Sequence, residues 1–560
     1  MSQQLSKSNE EGLQRRRGGC YSIGPLLRMF FDFLGKLICS DLSRTIEADL
    51  LFKFPLFEFH LHFDNLPIKV QLPGITFMAG IISLKALVHK ESNKVIFIES
   101  DNDFVDVLFS LLTIPIGTIV KLTSKQSVPL KIGCLNNLYE SVANIDAQHF
   151  ENEAYRDMLL CPQNGADSYC KNLKLKIDDY VPKGYFLCEN WNCTFFENRL
   201  LSHYKGDRCQ CGRCMNLSCT LTGPSLSEQD GSIFVKKASR LMITDDLHVM
   251  SPLSAATCSL ITNLGVGNEN SKVEQMSFKV DVNQVMELLM RSLVSKSPLS
   301  EILLRHKEQK LSSENLCERF YIGLPESKDI LIENEEKISL KLTVSKSKNI
   351  VCYAEAGEDF VNLLFSFLTL PLGVILRHMQ DVPWDGCIDH LFQSAHDLDE
   401  QYLKSNYHKE ILLGSKTYPG FSYENYFFGT EDGFVAPYYY AYWWTSERRL
   451  TDILTTDKSR IPSNAVTVPL KLKNNQSPQG YLKGATMFTV TDKLIIRPLS
   501  PILGFSVLNE LEVPIADIKE ETVQVGKVEA LHLLVASFVC DSALTNVFFR
   551  QLNKDYAPRF

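Results

Sequence analysis

Residues 84–122 read LKALVHKESNKVIFIESDNDFVDVLFSLLTIPIGTIVKL, and residues 340–378 repeat this stretch without a gap as LKLTVSKSKNIVCYAEAGEDFVNLLFSFLTLPLGVILRH. Of the 39 aligned positions 18 are identical, whereas about two identities are expected by chance from average composition. The chain therefore contains a duplicated unit, and this unit decides the fold. No catalytic constellation is repeated with it, so the repeat indicates an architecture rather than an activity.

Each copy of the repeat predicts a β-hairpin followed by an apolar helix. In the second copy, two alternating β-branched runs flank the polar turn Ser347–Asn349, which is typical of a hairpin. Asp103 and Asp359 stand where a helix N-cap is expected, and apolar residues follow at helical spacing. We expect Pro115–Gly117 and Pro371–Gly373 to end these helices, because proline lacks the donor that a helix needs to continue.

Three further pairs of segments correspond between the two halves of the chain. They are the helical segments 133–150 and 386–403, the strand-like segments 234–254 and 488–502, and the amphipathic segments 282–303 and 529–548. This alternation predicts an α+β fold of two tandem homologous domains, each a small, mostly antiparallel sheet packed with helices, with a zinc-ribbon-like insertion in the first. The expected parts are an atypical extension at 1–77, a first repeat domain at 78–304, a linker at 305–335, a second repeat domain at 336–550 and a tail at 551–560.

The segment 1–77 has no counterpart in the second half. Its apolar run Ile23–Cys39 is interrupted by a charge at every fourth residue, so it predicts an amphipathic helix and not a membrane span. We favour a partly disordered or packed segment over a membrane-surface helix. Because MAGIISLK leads directly into the first hairpin, we expect Met78 to be the natural start and the preceding residues to be a gene-model extension.

Composition and charge narrow the function classes. The 560 residues are 45% hydrophobic and 22% charged, with a formal net charge of −8. This is ordinary for a globular protein, and it argues against a general nucleic-acid binder, which needs a basic face. The 16 cysteines are scattered and follow no cleavable signal, which favours reduced thiols in the cytoplasm or nucleus.

The cysteine-rich segment 185–219 carries the clearest chemistry. Cys188 and Cys193 form one close pair, and a second group of three cysteines follows 15 residues later around a Gly-containing turn. Thiolates on two short turns can bind Zn²⁺ tetrahedrally. Structural zinc is the favoured interpretation, and reduced thiols or a redox disulfide are the alternatives. The second group consists of Cys209, Cys211 and Cys214, and His203 is a weaker candidate.

Two other sets of residues invite a functional interpretation. The first is the polar set Asp389, His390, His396, Asp397 and Asp399. The first half has asparagine or alanine at four of the five matching positions, so a solvated helix face is favoured over a metal or acid–base site. The second is the aromatic set in segment 418–445, which is the region of the second half that matches the cysteine-rich segment and contains no cysteine. Packing in a core or partner interface is favoured for it over nucleobase stacking. The set contains Tyr438, Tyr439, Tyr440, Tyr442, Trp443 and Trp444.

The hairpins VIFIESD and VCYAEAG, the helix DFVDVLFSLLTIPIG, the segment GCLNNLYESV and the cysteine cluster together resemble the plant family called domain of unknown function 674. The resemblance extends from about Met78 to the C-terminus. It supports the domain limits and implies no established activity. It also implies the ligand set Cys188, Cys193, Cys209 and Cys211, with Cys214 as an alternative.

The sequence does not contain a P-loop, a GxSxG elbow or an HExxH motif, which weighs against common enzyme classes. We therefore favour a non-enzymatic intracellular interaction or scaffold protein with a structural zinc site, a protein partner and no transmembrane segment. The first alternative is a nucleic-acid-associated protein that uses the cysteine cluster as a zinc ribbon beside Lys205, Arg208 and Arg213. The second alternative is an enzyme of an unrecognised class.

Overall fold

The computed structural model describes residues 62–63, 66–67 and 80–552, apart from 165, 171, 178–183, 203, 220–231, 238–239, 253–258, 260–272, 305–336, 380–381, 383, 414–415, 418–430, 433–437, 445–449, 456–457, 459–460 and 474–479. The chain divides between Phe77 and Met78 into two units. In the first unit the described residues are the antiparallel strands β1 (His62–Phe63) and β2 (Leu66–Pro67). The predicted helix at 23–39 and the predicted linker at 305–335 lie outside the described residues.

The second unit, residues 78–560, contains the duplicated halves. The first half begins with β3 (Ile82–His89), β4 (Lys94–Ser100), α1 (Asn102–Ser110), α2 (Ile116–Ser124), α3 (Leu135–Asn144), α4 (Glu153–Leu160) and α5 (Asp167–Cys170). The cysteine-rich segment forms β5 (Tyr185–Cys188), α6 (Trp191–Phe195), β6 (Leu200–Ser202), β7 (Asp207–Arg208) and β8 (Cys214–Cys219). The first half then ends with β9 (Leu241–Thr244), β10 (Val249–Met250), β11 (Val273–Val280), α7 (Val282–Ser292) and α8 (Pro298–Leu303).

The second half follows a similar order of elements and has an additional helix, residues 501–510, before its last strand. It begins with β12 (Ile338–Ser345), β13 (Ile350–Ala356), α9 (Glu358–Ser366), α10 (Leu372–Arg377), α11 (Ile388–Asp397) and α12 (Asn406–Leu412). It continues with β14 (Lys416–Thr417), β15 (Glu431–Asp432), β16 (Tyr438–Trp444), β17 (Leu450–Thr455) and β18 (Val466–Leu472). It ends with β19 (Phe488–Thr491), β20 (Ile496–Pro498), α13 (Pro501–Glu510), β21 (Ile518–Val525), α14 (Lys527–Val539) and α15 (Ala543–Leu552).

Each half contributes one five-stranded sheet, and the two sheets have equivalent topology. The strand orders are β10-β9-β4-β3-β11 and β20-β19-β13-β12-β21, and all neighbouring strands are antiparallel. The equivalence extends to the register, because the central hairpin has an irregularity at Leu87/Val88 in one sheet and at Thr343/Val344 in the other. These positions match in the sequence alignment. The prediction of an α+β fold is confirmed.

The first helix of each half differs from the sequence prediction at both ends. Asp101, not Asp103, is the N-cap of α1, since its carboxylate accepts a hydrogen bond from the Asp103 backbone N–H. Gly357 takes the same place before α9. The helices α1 and α9 end at Ser110 and Ser366, before the Pro-x-Gly sequences. Pro115 and Pro371 are instead the N-caps of the next helices, α2 and α10. Proline is well suited to the start of a helix, where its missing donor is not needed.

The two halves cross at these prolines. Pro115 and Pro371 face each other in an antiparallel bridge, with the Ile116 N–H bonded to the Leu370 carbonyl and the Leu372 N–H bonded to the Ile114 carbonyl, both at 3.0 Å. Gly373 lies one residue beyond this crossing. A Cβ atom there would come within 2.6 Å of the Leu412 carbonyl oxygen and 3.2 Å of the Leu112 carbonyl oxygen, so the close approach requires glycine.

One helix of each half also packs on the sheet of the other half. The Ser141 hydroxyl on α3 accepts a hydrogen bond from the Ile496 N–H of β20 at 2.9 Å. Reciprocally, the Ser394 hydroxyl on α11 accepts one from the Val249 N–H of β10 at 2.8 Å. Both serines stand at the same position in their repeats. We call this reciprocal packing of α3 and α11 the exchange. It places residues of both halves in one hydrophobic cluster, so burial of apolar surface stabilises the two halves together.

A buried polar side chain on the first helix of each half holds the segment that meets the other half. Asp106 accepts hydrogen bonds from the backbone N–H groups of Ile233, Phe234 and Val235 at 2.8–2.9 Å. The matching residue, Asn362, accepts hydrogen bonds from two consecutive N–H groups of the segment 481–482 at 3.0 and 3.1 Å. Burial raises the pKa of Asp106 to about 6, although the three backbone donors act in the opposite direction.

A third sheet joins the cysteine-rich segment to the second half. Its seven strands follow the order β17-β16-β18-β6-β5-β8-β7. The connection is the parallel pair β18–β6, in which Lys471 faces Leu200 and Leu472 faces Leu201. A buried Lys473–Asp207 ion pair adds to this connection. Among the described helices, none has both the length and the apolar character that crossing a bilayer requires.

The crossing can be tested with Gly373→Ala. We expect the added methyl group to lower the free energy of unfolding by about 1–3 kcal/mol, because both nearby atoms are backbone oxygens that cannot move aside cheaply. Urea denaturation followed by circular dichroism measures the change. The control is Gly484→Ala, whose Cβ would have only the flexible Glu358 carboxylate at 3.5 Å and should cost about 0.5 kcal/mol or less. Equal stabilities of the two variants would contradict the close packing described at residue 373.

The buried Asp106 carboxyl gives a pH prediction. Its folded-state pKa of about 6 exceeds the ordinary value of 3.8, so between these values the folded chain binds the proton more tightly than the unfolded chain, and stability falls as the pH rises. Asp106→Asn removes this titration and imitates Asn362. The free energy of unfolding of the wild type should therefore fall more than that of the variant between about pH 4 and pH 6, by roughly 3 kcal/mol at most. Identical pH profiles in urea denaturation would show that Asp106 does not titrate as stated.

Candidate metal centre

Short elements of the third sheet and the loops between them carry four cysteines. Cys188 ends β5, and Cys193 lies in α6, a helix capped by the side chain of Asn190. Cys209 and Cys211 lie in the tight turn between β7 and β8, where the Gly212 N–H bonds to the Cys209 carbonyl at 2.8 Å. Gly212 has a φ of 82°, a conformation that glycine adopts without strain. Local turn chemistry thus aims both pairs of thiols toward one point.

The four sulfur atoms converge. The Sγ atoms of Cys188, Cys193, Cys209 and Cys211 all lie within 4.8 Å of one another. The shortest separations are 3.2 Å between Cys193 and Cys209 and 3.5 Å between Cys188 and Cys211. These are non-bonded distances, because a disulfide bond is about 2.05 Å long. Four sulfur atoms in this arrangement can bind one metal ion.

The environment of the cluster differs from one thiol to the next. Cys188, Cys193 and Cys209 are buried, whereas Cys211 is at the surface. Burial raises the pKa of Cys188 to about 11 and raises the pKa of Cys209 well above its ordinary value. The backbone N–H of Arg213 lowers the pKa of Cys211. The side-chain amide of Asn198 donates a hydrogen bond to the Cys193 sulfur at 2.8 Å.

The alternative candidate Cys214 does not join the cluster. Cys214 is exposed and lies in β8 opposite Arg208, outside the group of four converging sulfur atoms. His203 lies outside the described residues. The structure therefore brings together the four cysteines of the predicted ligand set and leaves the fifth cysteine on the surface.

The residues of the polar set on and after α11 lie in different environments. His396 and Asp397 are exposed and bond to each other at 2.7 Å, and Asp399 caps the Gln401 N–H. His390 instead points into the first half, where its Nδ1 lies 2.9 Å from the Asp246 carbonyl oxygen and 3.3 Å from its carboxylate. The His390 ring stacks on His248 with 4.0 Å between centroids.

The contact between Asp246 and the two histidines was not anticipated from the sequence. Asp246 and His390 are 144 residues apart and belong to different halves, so no local spacing connects them. Burial alone would raise the pKa of Asp246, but hydrogen bonds from His248, His390 and Thr244 lower it below its ordinary value. Asp246 and His248 stand two residues apart, a spacing common among metal ligands, and this was the available signal.

The aromatic segment of the second half lies against the cysteine-rich segment. Tyr438, Tyr440 and Tyr442 alternate along one face of β16. Their rings contact Tyr185, Phe195 and Trp191, with centroid separations of 5.4, 5.6 and 5.7 Å respectively. From the sequence, the segments 185–219 and 418–445 are expected at matching positions of separate domains. In the structure they are parts of one sheet.

Comparison with known proteins identifies a family and no characterised relative. The family model described as "Protein of unknown function (DUF674)" matches residues 79–528. No curated protein matches the chain. No solved structure matches it either.

The environment of each thiol predicts an order of reactivity in protein treated with a chelator. Iodoacetamide should alkylate Cys211 before Cys188 and Cys209, because Cys211 is exposed and its pKa is lowered, whereas burial raises the pKa of the other two thiols and the thiolate is the reacting form. Peptide mass spectrometry over a time course measures the order. Cys214→Ser removes the neighbouring exposed thiol as a control. Labelling of Cys209 as fast as that of Cys211 would contradict the described cluster.

Proposed function

Because the chain belongs to the DUF674 family, whose model carries no assigned activity, we propose that it is a non-enzymatic interaction protein with a structural zinc ion in its four-cysteine cluster. The observation that carries the proposal is the convergence of four sulfur atoms next to an exposed aromatic surface on the same sheet. The cluster accounts for the stability of this region, and the surface accounts for binding.

The sulfur geometry supports zinc. Zn–S bonds of about 2.3 Å in a tetrahedron place the sulfur atoms about 3.8 Å apart, and the shortest separations here are 3.2 and 3.5 Å. Four thiolates fill the coordination sphere and leave no position for a water or substrate, which is the arrangement of structural sites. A zinc ion bound this way stabilises the fold and does not catalyse hydrolysis.

The region around the cluster has little else to stabilise it. Its own core consists of six buried residues, three of which are the ligand candidates Cys188, Cys193 and Cys209. Zinc binding in small modules contributes about 10–16 kcal/mol, which would compensate for so small an apolar core. The metal would also fix α6, from which Phe195 and Trp191 reach the aromatic strand β16.

The exposed aromatic surface supports the interaction role. We define the aromatic patch as Trp191, Tyr442, Trp444 and Val466. Trp191 contacts Tyr442, Val466 is the cross-strand partner of Tyr442, and Trp444 follows on the same face of the strand. Trp444 is 66% exposed, Val466 52% and Trp191 47%. Tryptophan and tyrosine are enriched among the residues that dominate binding energies at protein interfaces.

The proposal includes the architecture and the compartment. We propose that the segments 78–304 and 336–550 descend from one duplicated domain joined by a linker at 305–335, since their central sheets share strand order and register. A thiolate cluster requires reduced cysteines, which supports the cytoplasm or nucleus. The partner we propose is a protein with an apolar segment.

Nucleic-acid binding is the second candidate. Lys205, Arg208 and Arg213 are exposed on the cysteine-rich segment and could contact phosphates beside the zinc ribbon. The net charge of −8 weighs against this function, because nonspecific binding depends on positive charge. Salt-dependent retention on nucleic acid that Arg208→Gln and Arg213→Gln weaken would favour the second candidate.

The zinc proposal predicts metal content. Purified protein should contain about one zinc ion per chain at the cluster, and Cys193→Ser should lose it because three thiolates remain. Inductively coupled plasma mass spectrometry measures the content, and a strong chelator should lower the melting temperature of the wild type. Cys214→Ser is the control and should keep both the metal and the chelator effect. Full zinc content in Cys193→Ser would overturn the assignment.

The interaction proposal predicts a surface-specific loss of binding. Trp444→Ser combined with Val466→Ser should reduce the amount of captured partner by about 30-fold, equivalent to a loss of roughly 2 kcal/mol at an interface hot spot. Quantitative affinity purification from native tissue measures the change. The control is Ile502→Ser, which alters a 79% exposed apolar residue of α13. An unchanged set of captured proteins would contradict the role of the aromatic patch.

A further inference from the structure

The second group of candidate ligands lies where the two halves meet. Asp246 and His248 lie in the turn between β9 and β10, and His390 comes from α11 of the other half. The Asp246 Oδ2 atom lies 3.2 Å from the His248 Nδ1 atom and 3.3 Å from the His390 Nδ1 atom. One ligand atom from each of the three residues lies within 4.8 Å of the other two. All three residues are partly exposed.

The second half shows what the fold itself requires at this place. The turn Thr491–Leu494 matches Thr244–Leu247, and in both turns the leucine N–H bonds to the threonine carbonyl. Asn137 of α3 is the counterpart of His390, and its amide donates to the Lys493 carbonyl at 2.8 Å, as His390 approaches the Asp246 carbonyl at 2.9 Å. The packing of helix on turn is therefore achieved without a histidine.

The positions that match Asp246 and His248 also differ in the second half. Lys493 stands where the first half has Asp246, and Ile495 stands where it has His248. A fold that accepts lysine, isoleucine and asparagine has no structural need for a carboxylate and two imidazoles. The chemistry of the first half is thus additional to the shared contact.

From the geometry and this asymmetry we propose that Asp246, His248 and His390 bind a divalent transition-metal ion. Metal–ligand bonds of about 2.0–2.2 Å in a tetrahedron place nitrogen and oxygen ligands about 3.4 Å apart, close to the 3.2 and 3.3 Å between the Asp246 carboxylate and the two Nδ1 atoms. On binding, the two rings would turn out of their stack, and ligation through the His390 Nδ1 atom would replace its hydrogen bond to the Asp246 carbonyl. Two imidazoles with one carboxylate suit Zn²⁺, Fe²⁺ or Co²⁺ better than Mg²⁺ or Ca²⁺.

This site differs in kind from the four-cysteine cluster. Three protein ligands leave at least one coordination position, and the partial exposure of the residues lets water or a small anion occupy it. The ion would also connect the halves, because His390 and the other two ligands lie on different repeats. Metal binding here would therefore stabilise the exchanged arrangement of α11 on β10.

Cobalt titration of the full-length protein tests the proposal. Wild type that carries a single zinc ion per chain, at the cysteine cluster, should bind one further Co²⁺ ion with visible d–d absorption and without the thiolate charge-transfer band that a cysteine site would produce. The variant that combines His248→Ile with His390→Asn reproduces the second half at both positions. It should keep its fold and lose this ion, with at least tenfold weaker affinity in isothermal titration calorimetry. His396→Asn on the exposed face of α11 is the control and should bind as the wild type does.

Two results would overturn the proposal. They are the absence of a histidine-dependent ion in the wild type, and equal binding by the double variant. In either case the three residues form a hydrogen-bonded cluster and no metal site. If the double variant is unstable, zinc protection of His248 and His390 from diethylpyrocarbonate in the wild type replaces it. Modification at the same rate with and without zinc would then overturn the proposal, and the outcome is independent of the cysteine cluster.

Discussion

Two backbone hydrogen bonds at the crossing of Pro115 and Pro371 are the constraint on which the rest of the molecule depends. They join the two copies of the repeat at equivalent positions, and they require the backbones to approach so closely that a side chain at residue 373 would collide with carbonyl oxygens. Once the copies meet there, α3 and α11 reach the sheet of the opposite half. One apolar core then forms from residues of both halves, so neither half buries its apolar surface alone.

The pairs of matching residues show which contacts the fold preserves and where the chemistry diverges. Ser141 and Ser394 make the same bond to the opposite sheet. Asp106 and Asn362 perform the same anchoring task, but only the former carries an ionisable group, whose pKa burial raises to about 6. Where both halves make the same contact with different residues, the fold needs the contact but not the particular side chain. The chemistry found in only one half is then available for a site. This comparison distinguishes the group around Asp246 from an ordinary helix cap.

The cysteine-rich segment and the aromatic strand show a different relation. They replace each other in the alignment of the halves, yet the parallel pair β18–β6 joins them into one sheet. The thiol cluster lies on one side of this sheet with Met215 and Phe186, and the tyrosine rings pack on the other with Leu187 and Leu201. The candidate metal centre and the aromatic patch are therefore mechanically connected through α6 and the shared strands.

The sequence by itself determined the features that depend on local pattern. Alternation predicted the hairpins, helical spacing predicted the helical segments 133–150 and 386–403, and the repeat indicated equivalent sheets. The spacing of the pair Cys188 and Cys193 and of the three cysteines at 209, 211 and 214 indicated a cluster, because short turns bring nearby residues together, and the family resemblance implied which four would be ligands. The N-cap at Asp101 instead of Asp103 shows the limit, since several acidic residues could cap the same helix.

Only the tertiary structure decided how the halves combine. Two homologous units present similar complementary surfaces, so α3 could in principle pack on either sheet, and no sequence pattern distinguishes exchange from independent folding. Contacts that depend on the exchange, such as His390 with Asp246 across 144 residues, were therefore beyond sequence reasoning. The physical reason is that periodicity identifies which face of an element is buried, whereas the partner of that face is chosen by the packing of the whole chain.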